Sequence, residues 1–160
     1  MHSRARWIFG LGAAAVAGLL VASLLTARVT VQATEHRLRP GDAGVIARGE
    51  RVYKTHCAAC HGARLEGQPN WRERGPDGRL PAPPHDASGH TWHHPDEMLF
   101  RLTKYGLAKV ANLKDYASAM PVYEEVLSDE EIIAVLSWIK AQWPPEVRER
   151  QDQINQQVRR

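Results

Sequence analysis

The sequence predicts an all-α fold of three main helices preceded by an N-terminal transmembrane helix. Three observations predict it. Apolar residues recur at helical spacing in two segments that open with capping side chains, Asp42 and Ser128. A His94-Pro95-Asp96-Glu97 step opens a third such segment. The alternation of strands and helices that a βαβ unit requires is not visible.

A chain of 160 residues has room for one domain and one anchor. Its apolar fraction of 43% and charged fraction of 24% are those of an ordinary globular protein. Two Phe and four Tyr make a modest aromatic core, so a bound cofactor is expected to supply apolar mass. Arg4, Arg6 and Arg28 lie in the first 33 residues, which hold no acid. Taking those three from the 21 basic residues leaves 18, equal to the 18 acids. An even balance excludes a nucleic-acid partner, because phosphate binding needs a clustered excess of Lys and Arg.

The N-terminal part carries the targeting information. After the basic start His2 to Arg6 come 19 uncharged residues, Trp7 to Leu25. About 20 apolar residues at ~1.5 Å each cross a bilayer core. Arg4 and Arg6 orient the run with its start in the cytoplasm and the rest of the chain exported. Residues 1–28 are therefore expected to be a retained anchor in a bacterial cytoplasmic membrane, with the domain in the periplasm. A cleaved signal ending at Val31-Gln32-Ala33 is the alternative. Residues 29–41 read as a tether closed by Arg39-Pro40-Gly41.

The domain is expected over residues 42–145. Asp42 caps a helix from Ala43, whose face carries Ile46, Gly49 and Tyr53. Residues 62–94 are rich in Gly and Pro and read as a loop around a cofactor. Pro95 stands at the first helical position of the next helix, with Met98, Leu99, Leu102 and Tyr105 as its buried face and Gly106 as its stop. Ser128 and Glu131 form a capping box before Ile132, Val135, Leu136 and Ile139, and Pro144-Pro145 end that helix. The polar tail 146–160 reads as a solvated helix, or else as a docking segment for a larger complex.

The chemistry is concentrated in Cys57-Ala58-Ala59-Cys60-His61, which holds both cysteines of the chain. Two thiols one helical turn apart can add to the two vinyl groups of a porphyrin edge, and a histidine after the second is then held beneath the iron. This is the spacing of c-type haem attachment, with Cys57 and Cys60 as thioethers and His61 as proximal ligand. A structural zinc site with the later histidines, a thioredoxin-like thiol pair and chance occurrence are the competing readings. His85, His90, His93 and His94 fall within ten residues; contacts to haem propionates and helix capping are favoured there over a copper or zinc site.

With these residues in place, the sequence resembles the class I cytochrome c family over roughly residues 42–143. The run from Leu80-Pro81-Ala82-Pro83-Pro84-His85-Asp86 to His90-Thr91-Trp92-His93-His94 is similar to a membrane-attached monohaem bacterial subgroup. Gly49 and Tyr53, eight and four residues before Cys57, match the N-terminal helix of that fold, and Val135 and Trp138 match the facing helix. The resemblance implies a cytochrome c-like haem-wrapping fold, one covalent haem c, and Met120 of the Met120-Pro121 step as sixth iron ligand beside His61. It also implies that the carbonyl of Pro83 or Pro84 accepts from His61. Met120 as a gap-filling core residue is the alternative to ligation. An iron closed by His and Met exchanges single electrons and binds no substrate, so the chain is expected to be a carrier between redox protein partners and not an enzyme. An open-sited enzyme or gas sensor, and a fixed subunit of a complex or a copper-delivery accessory, are the other classes.

Overall fold

The computed structural model describes residues 36–159, and the expected anchor at 1–28 lies outside them. Among the described residues the fold is all-α, and no helix is long and apolar enough to cross a membrane. Six α-helices follow in order: α1 (Ala43–His56), α2 (Ala58–His61), α3 (Asp96–Tyr105), α4 (Leu107–Val110), α5 (Asp129–Ala141) and α6 (Pro145–Val158). A 3₁₀ turn, Thr91–His93, precedes α3.

The helix ends are made by the residues that local chemistry predicts. The Asp42 carboxylate accepts from the backbone N–H groups of Gly44 and Val45, satisfying two of the free donors at the start of α1. The Ser128 hydroxyl accepts from Glu131 N–H, and the Glu131 carboxylate returns to Ser128 N–H, which completes the capping box of α5. Pro95 is the cap of α3 and Asp96 its first residue, one position later than expected. Gly106 ends α3 at φ 79°, a left-handed conformation that costs glycine little.

The core is organised by α1 crossing α5. A Cβ at Gly49 would collide with the carbonyl oxygen of Ala134 and lie 2.6 Å from its carbon and 2.8 Å from Trp138 Cβ. The two backbones touch there because the side chain is missing. Tyr53, one turn on, is fully buried with its ring 4.7 Å from that of Trp138. Around the crossing α5 is buried on nearly every side: Ile132, Val135, Leu136 and Ile139 are joined by Ile133, Ala134, Ser137 and Lys140.

Three expectations need correction. The α3 face is turned: Leu99 and Phe100 are in the core, Leu102 and Tyr105 are half-buried, and Met98 is 38% exposed. The last part of the presumed tether is packed on the domain. Leu38 is buried and its N–H donates to the Asp96 carboxylate, Arg39 N–H donates to Ser137, and His36 stacks on Phe100 at 3.7 Å. The compact unit accordingly begins at His36, not at residue 42.

The third concerns the tail, which is structural and not merely solvated. In α6, Gln151 and Asn155 are buried, and both donate to Asp96 Oδ1, at 2.7 and 2.9 Å. Asn155 Oδ1 accepts the N–H of Asp96 itself, and Lys140 stands 3.9 Å from the same carboxylate. One buried carboxylate thus joins α3, α5, α6 and the segment at Leu38, with each donor satisfied. Pro144 and Pro145 separate α5 from α6 and also start α6, as caps that need no N–H.

Candidate functional site

Helix α1 delivers the motif. Cys57 is its last cap and the first cap of α2, so the chain turns at the cysteine and continues for one more turn. The N–H groups of Cys60 and His61 both donate to the Cys57 carbonyl, at 3.1 and 2.9 Å, which places the two thiols one helical turn apart. Both are free; Cys57 is half-buried and Cys60 exposed. Burial, and then the neighbouring Cys60, push the Cys57 thiol up to about 11. A reactive thiol of the thioredoxin kind is depressed, and burial acts on Cys57 in the opposite direction.

His61 is buried, and its Nδ1 donates to the Pro83 carbonyl at 2.8 Å. Of the two prolines that the resemblance left open, Pro83 is the acceptor. Among the described residues Nε2 makes no hydrogen bond to protein, and no buried polar atom is left unpartnered. Burial holds the imidazole below its ordinary range, an effect that the Pro83 carbonyl opposes. The neutral ring therefore presents one fixed nitrogen and one available nitrogen, the form a metal-binding histidine takes.

The loop that brings Pro83 to this ring depends on Gly67. Its φ is 68°, its N–H donates to the His61 carbonyl at 2.8 Å, and a Cβ there would collide with Pro84 N and lie 2.7 Å from the Pro83 carbon. Two tyrosines brace the turn from outside. Tyr53 donates to the Gly62 carbonyl at 2.7 Å. Tyr123 donates to the His56 carbonyl at 2.8 Å, directly before Cys57.

Met120 is 40% exposed in the stretch between α4 and α5, with its N–H donating to the Ser118 hydroxyl. Tyr123, three residues on, ties that stretch to the end of α1. Seven large apolar side chains are exposed among the described residues, and six of them fall between Met98 and Val126: Met98, Leu107, Leu113, Met120, Val122 and Val126. Two free thiols one helical turn apart, beside a buried imidazole with one nitrogen held by the Pro83 carbonyl, are the donor set that a covalent haem takes, so the residues present fit a haem.

The four clustered histidines divide. His85 stacks on His61; His90 stacks on Trp71 at 5.4 Å and meets His94 edge-on at 5.5 Å; His93 stacks on Trp92 at 3.6 Å. Among the described residues no group of three His, Cys, Asp or Glu side chains is arranged to hold a metal ion. Sequence reasoning missed Tyr123, Thr91 and Trp143 as parts of the site. The one available signal was their aromatic or hydroxyl type near the motif's partners.

No curated protein and no solved structure matches the chain. A family model for cytochrome c matches residues 46–143. Those limits contain the motif turn, the Pro83 loop, the Met120 stretch and the crossing of α1 with α5, so the chain belongs to the cytochrome c family, a haem-based electron carrier with covalently attached haem c.

Proposed function

We propose that this protein passes single electrons between redox protein partners of a respiratory-type chain, at the periplasmic face of a bacterial cytoplasmic membrane, through one haem. Cys57 and Cys60 would hold the haem as thioethers, and His61 and Met120 would ligate its iron. The observation that carries this reading is the turn of α2, where both thiols and an oriented His61 lie together under the Pro83 carbonyl. When bound, the haem iron supplies a one-electron couple, and a thioether ligand raises its potential.

The chain's own residues do the rest. Pro83 fixes the tautomer of His61 and the direction of its Nδ1, and makes the free nitrogen more basic. Tyr53 and Tyr123 hold the turn by their bonds to the carbonyls of Gly62 and His56, on either side of the motif in sequence. With both axial positions closed, the site is suited to electron exchange and not to substrate chemistry. The anchor reading at 1–28 rests on the uncharged run Trp7–Leu25 alone.

The test is made on protein extracted from membranes with mild detergent. Haem should stay with the denatured chain, Cys57→Ala or Cys60→Ala should sharply cut holoprotein yield, and intact mass should place the first residue near Met1. Haem that acid and organic solvent extract from the wild type contradicts covalent attachment. A soluble chain beginning at Thr34 contradicts the anchor, and rapid carbon monoxide binding by the ferrous protein contradicts the closed site.

A further inference from the structure

A second side chain reaches the ring of His61. His85, two residues beyond Pro83, lies over it with ring centroids 4.0 Å apart and planes 23° from parallel. An aliphatic side chain could fill the same space without burying polar atoms. The imidazole is there with a bond that directs it: its Nδ1 is 2.8 Å from the hydroxyl of Thr91, itself buried, and the ring is packed face to face on that of His61.

The backbone of His85 is fixed as firmly. Its N–H donates to the Leu65 carbonyl at 2.8 Å, and its carbonyl accepts from Trp143 Nε1 at 2.7 Å. Leu65 holds φ 68°, an unfavourable region for a leucine, which persists when the surroundings over-determine it. Here they do: Leu65 is buried, and its carbonyl takes the N–H groups of both His85 and Asp86, the second at 3.3 Å. The segment Pro83–His85 is therefore anchored to the loop after α2 and to the end of α5.

Two different restraints act on His61. The Pro83 carbonyl lies at the ring edge and fixes the direction of Nδ1, but a single hydrogen bond still lets a ring pivot about it. The His85 ring covers a face and opposes that pivot. We propose that His85, locked by Thr91, is a positioning residue that fixes the plane of the His61 imidazole and thereby tunes the electronic state of the haem iron. The inference rests on the reading of His61 as axial ligand.

The test uses the ferric holoprotein and three readouts at the site: the low-spin electron paramagnetic resonance signal and the reduction potential, which a loss of stability alone does not move in the folded protein, and hydrogen exchange at His61 Nδ1 by NMR, read against the exchange of core amides. His85→Leu keeps the bulk and loses the flat, bonded ring. It should broaden and shift the low-spin signal, move the potential, and speed exchange at Nδ1 several-fold. Thr91→Val keeps shape and loses the hydroxyl, and should shift all three in the same direction by less. His85→Phe restores a flat ring and should return the signal toward wild type. Wild-type readouts in both His85→Leu and Thr91→Val overturn the proposal. If His85→Leu does not mature, Thr91→Val decides alone. A wild-type spectrum without an imidazole ligand overturns the axial assignment itself, and is told apart by appearing before any substitution.

Discussion

At the scale of single residues, the site is a set of short bonds that converge on one imidazole. Gly67 is where that set is most exposed to test. A methyl group there meets the Pro83-Pro84 peptide, and the peptide cannot yield without carrying the Pro83 carbonyl away from His61. Gly67→Ala should therefore lower stability by about 1–3 kcal/mol, from overpacking and a strained φ. It should also shift the reduction potential, whereas an equally destabilising change remote from His61 should leave the potential alone. Thermal melts paired with potentiometry check both parts. Cys57, Cys60 and His61 were legible because the motif is contiguous, and Pro83 was one of two candidates. The contacts of His85 with His61, Thr91 and Trp143 were not, because these partners are brought together by loop folding and leave no spacing pattern. Trp143 and His85 are 58 positions apart.

At the scale of elements, local signals were good and phase was poor. The caps of α1 and α5 and the Gly49 crossing follow from a few adjacent residues, and all appear. The buried face of α3 was misplaced because the helix has apolar residues on two sides, one toward the core through Leu99 and Phe100 and one left exposed through Met98. A periodicity argument cannot separate a core face from a cofactor face. Helix α6 was read as solvated because it is held by buried amides, which carry no apolar stripe. Asp96 is the residue that makes this helix part of the domain. Asp96→Ala removes the common acceptor of Gln151 and Asn155, while Lys140 keeps its bond to Asp152 at 2.5 Å. A loss of about 1–3 kcal/mol is expected, the cost of buried amides left without their acceptor. Asp96→Asn, which keeps one acceptor oxygen, should cost less. Denaturant melts measure both, and amide exchange should rise first in α6.

At the scale of the whole molecule, two of the clustered histidines tie stability to pH. His90 and His94 both have imidazoles held below their ordinary value of 6.5, by burial first; His93 adds to both, Arg72 to His90 and His90 to His94. For each, the folded value lies under the unfolded one, so between the two the unfolded chain binds more protons and stability rises with pH. That stability is lost as pH falls below about 6.5, and the loss is complete once the folded values are passed. Melting temperatures measured across this range should fall on acidification for the wild type, and less steeply for His90→Gln and His94→Gln. The central claim, a haem closed by His61 and Met120, is tested most directly by the red absorption of the ferric protein. A thioether ligand gives a weak sulfur-to-iron charge-transfer band there. The account predicts that the band is present in the wild type and in Met98→Leu and lost in Met120→Ala, whose ferrous form then binds carbon monoxide. A band that survives Met120→Ala, or a wild type that shows none and takes up carbon monoxide at once, contradicts it.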